Sequence, residues 1–184
     1  MALTPSNMLE INTIAPLFSL PDVVSGKVIS INDFDDKKAL LVMFICNHCP
    51  YVLHVNDELV RLGKDYLSKS VGIVAISSNN VEKYPQDRPE KMKEIAEELG
   101  YTFPYLYDED QSVAKAYDAA CTPDFYVFDE NRKLKYRGRL CPSRPQSDIP
   151  VTGSELRAAI DAVLSNKEVN PIQYPSMGCN IKWK

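Results

Sequence analysis

The sequence predicts an α/β sandwich built around a mixed sheet. Three observations predict it. Strand patterns alternate with helix patterns along the chain, which favours parallel pairing. Two apolar runs, Ala39 to Ile45 and Val71 to Ile76, are continuous, as expected of strands buried on both faces. A hairpin pattern over 125–139, followed by a last helix, forces an antiparallel portion.

The elements follow in order. Residues 1–14 read as a loosely held arm. Ala15 to Ile31 reads as two short strands joined by a turn at Ser25-Gly26. After the first buried strand, Val52, Val55, Leu59, Leu62 and Tyr66 form one stripe at 3-4-3-4 spacing, the mark of an amphipathic helix. Asn56, Asp57, Glu58, Arg61 and Lys64 lie off that stripe. Ser77 to Asp87 is a polar loop, and its charges with those of Arg88, Glu90, Lys91 and Lys93 read as a solvated face. Pro89 opens a helix with Met92, Ile95, Ala96 and Leu99 inward, closed by Gly100. Phe103 to Tyr107 is a short extended piece that Pro104 assigns to a sheet edge or strand start. Gln111 to Ala120 is helical. Phe125–Phe128 and Leu134–Arg139 are the hairpin strands. Thr152-Gly-Ser-Glu155 reads as a capping box for a helix carrying Leu156, Ala159, Ile160, Val163 and Leu164. Residues 167–184 read as an extended tail whose Ile181 and Trp183 need a surface to cover.

Length and composition bound the function. At 184 residues, with 45% apolar and 25% charged residues, the chain suits one soluble domain over 15–166 with its own core. A net charge of −4 and a pI near 5.3 argue against a nucleic-acid partner. No run approaches the length of a membrane helix, and the first residues lack the basic and apolar regions of a signal peptide. A cytoplasmic location is therefore expected, with no membrane partner. Five cysteines, an odd count at irregular spacing, suggest redox chemistry or metal rather than a structural framework.

Chemistry concentrates at Cys46-Asn-His-Cys49-Pro50. An apolar strand runs straight into Cys49, and a proline and a helix pattern follow. Cys49 then sits at a helix start, where unpaired N–H groups and the helix dipole favour an anion such as a thiolate. Only the thiolate is nucleophilic. His48 suits a proton shuttle or a thiolate partner, or is a plain loop residue. His54 reads as a surface or packing residue, and Cys141 as incidental.

Three stretches together resemble the thioredoxin-like superfamily, most closely its peroxiredoxin-like branch, the alkyl hydroperoxide reductase/thiol-specific antioxidant (AhpC/TSA) proteins. They are Ala15-Pro-Leu-Phe-Ser-Leu with Gly26-Lys-Val-Ile-Ser-Ile; Phe44 to Val52; and Thr122-Pro123 followed by Asp124-Phe-Tyr-Val-Phe-Asp129. The match covers roughly residues 14–165. It implies a three-layer α/β/α sandwich with a central mixed sheet. It also implies that Pro123 is cis and lies close to the nucleophile, where the Thr122 backbone can hold a substrate thiol or peptide. Aligned on Phe44, the family nucleophile falls on Cys49 and its second cysteine on Val52, so the Cys-x-x-Cys pair is displaced upstream to Cys46. Cys46 is the first candidate for a disulfide partner, being tethered closest. If residue 46 stays extended, Cys121 or Cys179 becomes the better partner. Cys179 also matches the C-terminal resolving cysteine that some peroxiredoxin-like proteins keep.

The resemblance also ranks the chemistry. Peroxidase members carry Thr or Ser three residues before the reactive cysteine, where this chain has Cys46. They carry an Arg where it has Pro123. Thioredoxins place a buried acid at the position of Met43. Thiol–disulfide exchange is the leading reading, on protein or small-molecule disulfides and thiols. Peroxide reduction through a Cys49 sulfenic acid is the second. A metal-binding or copper-chaperone-like protein, with Cys46, Cys49, Cys121 and the histidines as soft ligands, is the third, and a domain that only binds partners is the last. The leading reading calls for no cofactor and no resident metal; self-association into a homo-oligomer stays open.

Overall fold

A computed structural model describes residues 3–184. The first strands are short: β1 (Leu3–Pro5), then the antiparallel pair β2 (Ser19–Pro21) and β3 (Val28–Ser30). The central sheet begins with β4 (Ala39–Phe44). Two helices follow it, α1 (Pro50–Leu53) and α2 (Asn56–Tyr66). After them come β5 (Val71–Ser77), α3 (Pro89–Leu99), the three-residue β6 (Tyr105–Tyr107) and α4 (Ser112–Ala116). The two-residue β7 (Cys121–Thr122) precedes the hairpin β8 (Asp124–Asp129) and β9 (Leu134–Gly138). Helix α5 (Ser154–Leu164) and β10 (Met177–Asn180) complete the chain.

Five strands form the central sheet in the order β6-β5-β4-β8-β9. β5 runs parallel to β4, and β6 to β5, whereas β8 and β9 run antiparallel. All six residues of β4 are buried. Strand side chains alternate between faces, so this one run feeds two cores. Ala39, Leu41 and Met43 pack with Leu59, Leu62, Met92, Leu156 and Ile160 of α2, α3 and α5. Leu40, Val42 and Phe44 pack with Phe34, Val113 and Tyr117 on the other face. The result is the three-layer α/β/α sandwich with a mixed sheet, and β6 lies at its edge as Pro104 suggests.

Four local expectations are corrected. The single helix after Cys49 breaks at Val55, whose N–H closes a tight turn onto Val52 O while its carbonyl starts α2. The apolar stripe is buried throughout, but so is Glu58, which pairs with Arg61 and Arg157 at 2.7 and 2.6 Å. Helix α4 ends by Tyr117, because Asp118 takes a left-handed φ of 51°. No capping box forms before α5. Gly153 is its N-cap at φ 66°, and Glu155 turns instead to a bidentate pair with Arg139 at 2.8 and 2.6 Å.

The largest departure joins the termini. The expected loose arm supplies β1, and the expected extended tail supplies β10. Together with β7 they form a second antiparallel sheet in the order β1-β10-β7. Met1 and Ala2 of the arm lie outside the described residues. Ile181 is buried as expected, but Trp183 stays exposed beside Lys115. No helix is long and apolar enough among the described residues to cross a membrane.

Candidate active site

The site forms where β4 ends. Ile45 N–H makes the last bond to β5, donating to Ile76 O, and the chain then turns out of the sheet. Asp87 and its neighbour hold that turn: Asn47 N–H donates to Asp87 Oδ1 at 2.9 Å, and the Asn47 amide donates to Gln86 O at 2.8 Å. Tyr105 OH donates to Asn47 Oδ1 at 3.2 Å. The turn delivers Cys49 to the N-cap of α1, with Pro50 at the first helical position. Opposite lies the Thr122-Pro123 peptide, which is cis.

Three thiols and one backbone carbonyl meet there. Cys49 is fully buried. As a thiol it donates to Thr122 O at 3.2 Å. As a thiolate it accepts hydrogen bonds, first from Cys46, then from the side chain and backbone of Cys179 and from the Val52 backbone. These outweigh the cost of burial and lower Cys49 to about 5. The same hydrogen bond to Cys49, with burial and the Asp87 charge, holds the Cys46 thiol well above its ordinary range. Burial and the Cys49 neighbour push Cys179 up to about 12. Cys46 Sγ also lies 3.3 Å from Thr122 Oγ1. Helix α1 has only four residues, so its dipole contributes little; its start acts through the Val52 N–H, behind the Cys46 and Cys179 hydrogen bonds.

The other sequence candidates divide. Cys121 lies on β7 beside the site, its thiol directed at Pro123 O at 3.9 Å, and burial raises it. His48 faces away toward Asp87, with Nδ1 2.7 Å from Oδ2, and its ring stacks on Tyr84 at 5.4 Å. His54 pairs with Ser143 at 2.8 Å and takes no part. Cys141 is packed in the core. A sulfur of Cys46, a ring nitrogen of His48 and a carboxylate oxygen of Asp87 lie within 4.8 Å of one another, the donor set placed for a metal among the described residues. Cys49, Cys121 and His54, the other expected ligands, are not among these donors.

Two site residues escape a sequence reading. Asp87 sits in a run read as solvated, yet it is fully buried, fixing both Asn47 and His48 and accepting from Asn79 at 2.8 Å. Its only signal was its place just before the Arg88-Pro89 helix start. Asp124, next to the cis proline, is also fully buried, and burial pushes it up to about 8 despite hydrogen bonds from Tyr126 and Phe125.

Known proteins share this chain's fold and family. The chain is 57% identical to an uncharacterized conserved protein from Geobacillus kaustophilus whose crystal structure superposes with a TM-score of 0.98, covering 100% of this chain and 97% of that one. A thiol:disulfide interchange protein of the thioredoxin family from Chlorobium tepidum TLS shares the fold, with a TM-score of 0.65 at 19% identity over 84% of this chain and 98% of that one. Thiol-disulfide oxidoreductase ResA of Geobacillus thermodenitrificans (strain NG80-2) is 27% identical over 138 residues, 72% of this chain and 71% of its own length. "Putative peroxiredoxin Rv2521" of Mycobacterium tuberculosis (strain ATCC 25618 / H37Rv) is 29% identical over 106 residues, 57% of this chain and 61% of its own length. The AhpC/TSA family model matches residues 11–137, a span holding the Cys46–Cys49 turn, the cis proline and the central sheet up to Arg137, but not the tail. The chain belongs to the AhpC/TSA family, and its fold is that of the thioredoxin-family structure from Chlorobium tepidum.

Proposed function

We propose that the protein is a thiol–disulfide oxidoreductase with Cys49 as attacking thiolate and Cys46 as resolving thiol. The observation that carries this is the lowering of Cys49 to about 5 by a hydrogen bond from Cys46. At neutral pH Cys49 is ionised, and Cys46 holds its proton beside it.

The steps balance. Cys49 Sγ attacks one sulfur of a substrate disulfide, forming a mixed disulfide and releasing the other sulfur as a thiolate, which takes up a proton. The negative charge on Cys49 is then gone, and with it the hydrogen bond and charge that held Cys46 protonated. Cys46 loses its proton and attacks Cys49 Sγ. The substrate leaves as a second thiol, and the Cys46–Cys49 disulfide remains for a dithiol reductant to reopen. Substrates are protein or small-molecule disulfides, and the working compartment in this reading is the cytoplasm.

Family membership and the mycobacterial relative favour a second reading, peroxide reduction. Cys49 would break the O–O bond, release water or an alcohol and become a sulfenic acid, which a second thiol condenses to a disulfide with loss of water. Against its priority, the groups that hold the Cys49 thiolate are thiols and backbone N–H groups, with no guanidinium among them.

Peptide-resolved alkylation against pH tests the leading reading. Cys49 should label with a midpoint near 5, and mass mapping of the oxidised protein should show a Cys46–Cys49 bridge. A midpoint at or above the reference near 8.5, or oxidation that never joins these two residues, overturns it. Fast, saturable turnover of hydrogen peroxide with no exchange on a model disulfide favours the peroxidase instead.

A further inference from the structure

The strand edge beside the nucleophile is occupied by the chain itself. β10 pairs antiparallel with β7, placing Cys179 opposite Thr122 and Asn180 opposite Cys121. The fit is close. A Cβ on Gly178 would sit 1.9 Å from the Thr122 carbonyl oxygen and 3.3 Å from Pro123 N, so only glycine lies flat on the cis peptide. Ser176 Oγ donates to Pro123 O, and Ser176 N–H donates to Ser6 Oγ at 2.7 Å. Beyond the strand, Ile181 N–H donates to Ala120 O at 3.0 Å, and Lys182 O accepts from Gln111 at 2.9 Å and from Asn80 N–H at 2.8 Å.

This docked strand conflicts with the chemistry. Exchange needs a substrate sulfur in line with Cys49 Sγ, yet Cys49 is fully buried beneath the Thr122 carbonyl and the Cys179 neighbourhood. The pairing of the tail with β7 is short. The tail holds β7 through only two paired positions but β1 through three, and residues 165–176 before it carry no helix or strand. β1 and β10 can therefore swing off together as a pair.

We propose that β10 is a gate. Met177–Asn180 must leave β7 before Cys49 reacts with a protein disulfide, and an extended segment of the disulfide-bearing partner then pairs with the vacated edge. Departure of β10 leaves the Cys121 and Thr122 backbone groups unpaired, and an incoming strand satisfies them. A cysteine on that strand at the register of Cys179 arrives beside Cys49. The gate rests on the disulfide-exchange reading and adds what controls access to it.

The test uses full-length protein, with insulin as the protein disulfide and oxidised glutathione as the small one. Rates are compared at alkaline plateau pH, so that a changed Cys49 titration does not enter. Gly178→Val should speed amide exchange over 177–181 and raise insulin turnover about tenfold or more, as expected when a scarce open state becomes the main one. Ser176→Ala should do the same to a smaller extent, which keeps the test informative if the valine variant does not fold. A tail freed by amide exchange with insulin turnover unchanged or lower overturns the gate while leaving glutathione exchange at Cys49 intact. If Cys49 reacts with neither disulfide in any variant, the exchange reading fails, and the gate fails with it.

Discussion

At the scale of single residues, the chemistry turns on a proton shared between two sulfurs. Cys46 is the strongest contributor to the lowering of Cys49, ahead of Cys179 and the Val52 N–H. Cys46→Ala removes that donor, so the Cys49 alkylation midpoint should move up toward the ordinary thiol range. An unmoved midpoint assigns the activation to the helix start instead. A stabilised thiolate also stabilises the dithiol over the disulfide, which makes the disulfide more oxidising. Equilibration with a glutathione buffer should therefore give a Cys46–Cys49 potential less negative than the roughly −270 mV of thioredoxin. A more negative value contradicts a thiolate held near 5.

At the scale of elements, α5 is fastened across α2 by a buried carboxylate. Glu58, with its side chain only 3% exposed, takes Arg157 of α5 at 2.6 Å and Arg61 at 2.7 Å. Arg157 continues to Asp65 at 2.8 Å. Glu58→Gln takes the charge partner from the exposed Arg61 and from the largely buried Arg157, although Asp65 still holds Arg157. Unfolding in urea should show a loss of about 2 kcal/mol, less than the cost of a fully orphaned buried pair. A loss below about 0.5 kcal/mol would place this network with ordinary surface pairs.

At the scale of the whole molecule, Asp124 makes stability depend on pH. Burial pushes its carboxyl from an ordinary 3.8 up to about 8. Between those values the native state keeps a proton that the unfolded chain has lost. The native state binds more protons there, so this group lowers stability as pH rises from about 4 to about 8. Asp124→Asn is neutral at every pH and keeps an acceptor for Tyr126 and Phe125. The variant should lose that slope and, at pH 8, exceed the parent in stability by on the order of 1 kcal/mol or more. Parallel stability–pH curves for the two proteins would show that Asp124 is ionised in the fold.

The sequence by itself determined the sheet, its two cores and the position of the thiol. These follow from local periodicity: the unbroken β4 run, the 3-4-3-4 stripe from Val52 to Tyr66, and a strand that ends in Cys46-Asn-His-Cys49-Pro50. The cis proline was legible only through the family resemblance of Thr122-Pro123. Tertiary structure decided what no local pattern encodes. A polar residue such as Asp87 or Glu58 reads as solvated until distant partners surround it, because its burial depends on groups far along the chain. The Thr152–Glu155 signal was overridden for the same reason, since Arg139 offered Glu155 a charged partner that its own helix start could not match. The terminal sheet is the extreme case. Leu3 and Cys179 pair across nearly the whole chain, and strands so short carry almost no periodic signal. Only the folded domain, with Thr122 and Pro123 already in place, supplies the edge on which Gly178 fits.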